Sequence, residues 1–148
     1  MGTYYPSHDL VAVAFLQSLD LPADGIDTDL PRDPADWTNQ GFIQVTAVGG
    51  SPEIDVPVYR PAVQVDVWAN RPGSEYPPWN QAGHLAAALV AATYDTDNFG
   101  ISPTLPDGFR TVRVLTAFPL SEPRRILDDP AGFARVSLDL ALRWVYTA

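Results

Sequence analysis

Ala134-Arg135-Val136-Ser137-Leu138-Asp139-Leu140-Ala141-Leu142-Arg143-Trp144-Val145-Tyr146 alternates almost without interruption. Val136, Leu138, Leu140, Leu142, Trp144 and Tyr146 share one side; Arg135, Ser137, Asp139, Ala141 and Arg143 share the other. A period of two belongs to extended backbone, whose successive side chains point to opposite faces. One apolar and one polar face predict a strand in an antiparallel or mixed sheet that is covered on one side and wet on the other.

A second alternation places Val63, Val65 and Val67 against Gln64, Asp66 and Trp68. Pro57 and Pro61 lack the N–H a central strand needs, so this strand is expected from Ala62 to Ala69. Two further strands are expected, at Phe42–Val48, closed by a Gly49-Gly50 turn, and at Thr111–Phe118. Helical spacing of Leu10, Val13, Ala14 and Leu16 behind a Ser7 N-cap predicts a helix to Leu19, and Pro22 stops it. Pro78 opens a second helix that runs to about Tyr94. The order of elements predicts an α+β fold: a mixed or antiparallel sheet of four to five strands with the two helices packed on one face. Val63, Val65, Val67, Val136, Leu138, Leu140 and Leu142 are the expected core. A chain of 148 residues suits one domain over residues 1–148 and buries roughly 68–70% of its unfolded surface.

Charge narrows the function classes. Eighteen acids face nine bases, a net charge of −9, and every base is arginine. A chain without lysine has no P-loop and no Schiff-base nucleophile, and one without cysteine has no thiol catalysis, zinc ribbon or disulfide. Nonspecific nucleic-acid affinity comes from cations on phosphate, so a chain this acidic is a poor nucleic-acid binder. The longest apolar stretch, Leu85 to Thr93, is too short for a membrane span, and Met1 to Pro6 has no basic segment of a secretory signal. Arginine in place of lysine, with abundant Ala, Asp and Pro, fits a GC-rich coding genome.

The acid-rich segments invite a metal reading, which their spacing does not support. Asp95-Thr96-Asp97-Asn98-Phe99-Gly100 starts like a calcium loop, but Phe99 stands at position five and Pro106 where the bidentate Glu belongs. A loop starting at Asp24 has Ala35 at that position. Solvated turns are the simpler reading, and no metal or cofactor is expected. His8 and His84 lack H-E-x-x-H spacing. Ser51 precedes Pro52, which spoils a nucleophile elbow. No catalytic residue is therefore assigned. The segment from Asp20 to Asp36, with six Asp and three Pro, reads as an exposed loop.

Leu85-Ala86-Ala87-Ala88-Leu89-Val90-Ala91-Ala92 is apolar around its whole circumference. Alanine alone can explain that, since it is the best helix former. Cover on two sides, by the sheet and by a neighbouring subunit, explains it equally well. Trp37, Tyr76 and Trp79 in or beside loops, and Trp68 on a polar strand face, are expected to be exposed aromatics, the residue types enriched at interfaces. The candidate subunit interface is Trp68, Tyr76, Trp79, Leu85, Ala88, Leu89 and Ala91.

Val65-Asp66-Val67-Trp68-Ala69, a short loop, and Pro77-Pro78-Trp79-Asn80-Gln81-Ala82-Gly83-His84-Leu85-Ala86 together resemble tail terminator proteins of long-tailed phages that infect actinobacteria. Gly132 to Leu140 looks like that family's closing strand, and the order of elements agrees along nearly the whole chain. The resemblance implies a lambda-type tail terminator: a structural virion protein, without catalysis, forming a hexameric ring. Such a ring caps the head-proximal end of the tail tube, stops its growth and meets the head-completion or neck proteins. The implied partners are other copies of the chain, the tail tube protein and the neck protein, with DNA as nonspecific cargo through the lumen. The implied location is the virion neck, and the host cytoplasm during assembly. An acidic lumen would let the duplex slide, and Asp24, Asp27, Asp29, Asp66 and Asp139 are its candidate residues. Other readings of the same residues are a head-to-tail connector or tail tube protein, or a small acidic enzyme or ligand- or metal-binding domain.

Overall fold

A computed structural model describes residues 2–50 and 56–147; the Ser51-Pro52 pair lies outside them. Helix α1 spans His8–Gln17, and its N-cap Ser7 accepts a hydrogen bond from the Leu10 N–H at 3.2 Å. Strand β1 (Gly25–Asp27) runs parallel to β2 (Phe42–Gly50), which pairs antiparallel with β3 (Pro61–Ala69). Helix α2 spans Trp79–Tyr94. Strands β4 (Val112–Pro119) and β5 (Arg124–Ile126) both pair antiparallel with β6 (Ala134–Tyr146). The order β1-β2-β3-β6-β4 puts β6 at the centre with β3 on one side. On its other side β4 pairs with the C-terminal part of β6 and β5 with the N-terminal part, end to end.

The α+β class and the mixed sheet are as expected, with six strands rather than four or five. The two additions, β1 and β5, have three residues each, too few for an alternation to be visible. Gly49 and Gly50 belong to β2 instead of forming a turn. The register slips between Ala47 and Gly49, and Gly50 pairs with Pro61 at φ 101°. A Cβ at Gly50 would strike the Arg60 carbonyl, so only glycine lets the two strands close there.

Both helices cover one face. Val11, Phe15 and Leu16 of α1 and Ala82, Leu85 and Leu89 of α2 meet Ile43 and Val45 of β2, the alternating valines of β3 and the apolar side of β6 in one cluster. All seven expected core residues are buried. Register explains the agreement: Val63, Val65 and Val67 lie opposite Leu140, Leu138 and Val136, so the two alternations reinforce each other on the same face.

The other face is not uniformly wet, which corrects the reading of its aromatics. Trp37, 1% exposed, sits on a 3-10 turn (Pro34–Trp37) and packs with Phe42 and Trp68 beneath Leu30 and Phe133. The Trp37 ring meets Phe133 edge-on at 4.9 Å. Trp68, expected to be exposed, is 8% exposed because Trp37 and Phe133 pack against it.

Candidate functional site

The covered part of the polar face holds a connected set of side chains. The Asp66 carboxylate receives Arg135 Nε at 3.1 Å and Gln64 Nε2 at 3.0 Å. Arg135 also lies over the Trp68 ring, 5.1 Å from its centre. The Trp68 indole donates to Gln44 Oε1 at 3.1 Å, and Gln44 Nε2 donates to the Thr28 carbonyl at 3.1 Å. Asp66 is 4% exposed, so its charge is matched inside the protein and not offered to solvent. Ser137 Oγ and Trp37 Nε1 are buried beside this set without a partner among the described residues.

The Asp-rich segment is an ordered cover rather than a slack loop. Asp24 Oδ2 accepts from the N–H groups of Gln40 and Gly41, and the Asp24 N–H returns to the Gly41 carbonyl at 2.8 Å, closing the segment at its base. Asp27 accepts from the Thr28 N–H at 2.7 Å, and Asp33 caps the 3-10 turn at the Ala35 N–H. These are the local bonds that make Asp a turn former. All six carboxylates of the segment remain exposed. Asp139 is half-buried on β6, its N–H held by Ser121 Oγ at 3.0 Å. Asp95 caps a short 3-10 turn through the Asp97 N–H at 3.0 Å, as a solvated turn would. No group of three His, Cys, Asp or Glu side chains among the described residues could hold a metal ion.

The histidines occupy separate places. His8 Nδ1 accepts from the Trp144 indole at 3.3 Å beside Tyr59, a packing role. His84 is exposed on α2, in a shallow groove whose lining includes Pro22, Gln40 and Gln81 and no carboxylate. Burial, then the neighbouring Tyr59 and Tyr5, raises the Tyr146 hydroxyl above its ordinary 10.0, against the pull of Arg110.

Of the expected interface residues, Leu85 and Leu89 are core, facing the sheet. Tyr76 is 77% exposed. Trp79 is half-buried at the start of α2, with the Arg125 guanidinium 4.9 Å above its ring. Ala91 is exposed with Gly83 and Ala87, and Ala88 is half-buried. The all-round apolar character of α2 therefore combines a leucine side on the sheet with an alanine and glycine side in the open. At its end, Tyr94 reaches the β4 side chain Phe118, ring centres 5.7 Å apart, and Phe118 meets Phe99 at 5.6 Å. An open groove of about 560 Å³ follows between Val90, Tyr94, Leu120 and Pro123. The reading of the sequence missed this edge. Its signal was the adjacent pair Arg124-Arg125 shortly after Phe118 and Leu120, which is neither a turn motif nor part of a detectable alternation. No helix of the described residues is long and apolar enough to cross a membrane.

No family model and no curated protein matches this sequence. A chain from the virion of a native gene transfer agent particle has a similar fold, at 15% identity and a TM-score of 0.54, over 95% of this chain and 100% of that one. A second solved structure is similar at 18% identity and a TM-score of 0.45, over 96% of this chain and 98% of that one.

Proposed function

We propose that this chain is a structural component of a phage-like virion, with no catalytic role. The observation that carries the reading is the end-to-end likeness of its fold to a chain of the gene transfer agent virion. The finer reading is a tail terminator. Its support is the Trp68-Ala69 strand end followed by the Pro78-Trp79 helix start, the motif pair that resembles that family. In this reading six copies close a ring on the head-proximal end of the tail tube, end its growth and meet the neck protein. The open side of α2, with Tyr76, Trp79, Ala88 and Ala91, contributes to contact between subunits or with the tube, and Leu85 and Leu89 hold it rigidly on the sheet. Asp24, Asp27, Asp29 and Asp139 are the acids available to a lumen; Asp66 leaves that set because Arg135 covers it.

The test is removal of the gene from the particle that encodes it. Tails of overlong, variable length without heads are expected, and tails of normal length would refute the terminator reading. Electron microscopy of the complete particle would then separate the alternatives: density along the whole tube marks a tube protein, and density on the head vertex marks a connector.

A further inference from the structure

The two outer edges of the sheet carry opposite charge. The segment from Asp20 to Asp36 exposes six carboxylates against the single Arg32; Asp24, Asp27 and Asp29 lie in or beside β1, and Asp33 and Asp36 follow where Trp37 crosses to Trp68 and Phe133. Six of the nine arginines lie between Arg110 and Arg143, against four acids, and Arg113, Arg124 and Arg125 stand exposed on β4 and β5 with Glu122 as the one carboxylate between them in sequence. The strand order places these edges four strand spacings apart, roughly 19 Å. They therefore look away from each other and cannot neutralise one another within one molecule. The basic edge is also apolar: Phe118 is 37% and Leu120 60% exposed, Leu120 lines the groove at the end of α2 beside Glu122, and Phe118 meets that groove's Tyr94. Arginine beside exposed aromatic and aliphatic side chains is the composition of an interface core, not of a solvated rim.

We infer that copies of this chain meet edge to edge, the Asp-rich segment of one against the Arg-bearing β4–β5 edge of the next. This rests on the ring reading above and supplies the second of the two different patches a cyclic ring requires. The occupant of the basic edge is a second copy because the complementary charge is present on the chain itself, on the opposite side of the same sheet. Side chains make the contact, not strand addition: β1 is three residues long and its Ile26 carbonyl already accepts from Gln17 Nε2 at 3.0 Å. The basic edge is continuous with α2 through Arg125 on Trp79 and Phe118 on Tyr94, so the helix lies within the same contact. The acidic segment is thus built rigidly, by Asp24 at its base and Trp37 beneath it, to present charge at a fixed place.

The purified chain is examined by mass photometry and light scattering across concentration and salt. Ring mass is expected at low salt and should be lost between about 0.1 and about 1 M, as the screening length falls from about 10 to about 3 Å. The double variant Arg124→Glu with Arg125→Glu, and separately Asp29→Arg with Asp36→Arg, should each raise the half-assembly concentration at least about tenfold. Asp29 and Asp36 are chosen because Asp24, Asp27 and Asp33 bind backbone N–H groups that hold the segment together. Mixing the two double variants should restore rings of alternating subunits, since their native edges match each other and so do their reversed edges, and all four reversals in one chain should restore the ring as well. The neutral pairs Arg124→Gln with Arg125→Gln and Asp29→Asn with Asp36→Asn, checked for unchanged melting temperature, should shift assembly the same way by less. A wild-type ring that survives every reversal, while Ala88→Arg or Ala91→Arg breaks it, would overturn the edge contact and leave the ring standing. A wild-type chain that stays monomeric throughout, also with tail tubes present, would overturn the ring reading and this inference together.

Discussion

Leu140 and Asp66 lie on opposite faces of the sheet and answer to different physics. Leu140 is fully buried between β3 and the helices, where truncation removes contacts that the close-packed surroundings only partly replace. Leu140→Ala is expected to cost about 2–5 kcal/mol, read as a lower denaturation midpoint at unchanged slope. A change under about 0.5 kcal/mol, the usual range for surface positions, would contradict the facing of β6. Asp66 depends on a partner rather than on packing. Arg135→Ala would strand a buried carboxylate with only Gln64 as donor, at a cost of about 1–3 kcal/mol. Adding Asp66→Asn should recover part of that loss, because the stranded charge is then gone. No recovery in the double variant would mean that Arg135 stabilises through its stacking on Trp68 alone.

At the scale of elements, the Asp-rich segment differs most from its appearance in the sequence. Asp, Pro and Gly in such density favour turns, and the bonds of Asp27 and Asp33 are turn bonds, while Asp24 ties the base of the segment to Gln40 and Gly41. What those bonds do not provide is an anchor on the polar face of the sheet, and Trp37 supplies it by packing on Phe133 and Trp68. Trp37→Ala should therefore release the segment locally. Limited proteolysis between Asp20 and Gly41 is expected to quicken at least about tenfold, while hydrogen exchange in the β3–β6 centre stays slow. Equal acceleration in both regions would mean that the cover and the sheet unfold as one unit. The β4–β5 edge is the counterpart. A proline and a four-residue gap interrupt it between Pro119 and Arg124, which leaves a short, bent edge and a groove in place of a continuous strand.

For the molecule as a whole, charge placement matters more than the net −9. DNA passing through a ring would bind a basic lumen, since each neutralised phosphate releases counterions. An acidic lining repels the duplex and leaves it free to slide. If Asp139 lines the channel, Asp139→Arg should leave tail length normal and slow DNA ejection or joining to the head, measured on assembled particles. Unaltered DNA passage would refute the electrostatic account of the lumen without touching the terminator reading. Acids that serve solubility alone would show the same absence of effect, together with aggregation of the isolated subunit as charge is removed.

Sequence by itself determined the parts in which local pattern and tertiary environment agree. Strands β3 and β6 alternate because one side of each faces the helices, so their period alone marked the core valines and leucines. Ser7 and Pro78 marked the helix starts because a side-chain cap, at Ser7, and proline's fixed φ, at Pro78, act on neighbouring residues; Pro78 stands at the N-cap position without a capping bond. Strands β1 and β5 escaped because three residues carry no period, and they are strands only through pairing with β2 and β6. Trp37 and Trp68 were misplaced because burial on a polar strand face depends on a segment that folds back over it from elsewhere in the chain. The leucine side of α2 was legible as apolar, but which side meets the sheet is set by packing and not by composition. The opposite charge of the two sheet edges is likewise a tertiary fact: Asp20–Asp36 and Arg113–Arg125 lie far apart in sequence, and only the strand order turns that distance into two opposed surfaces.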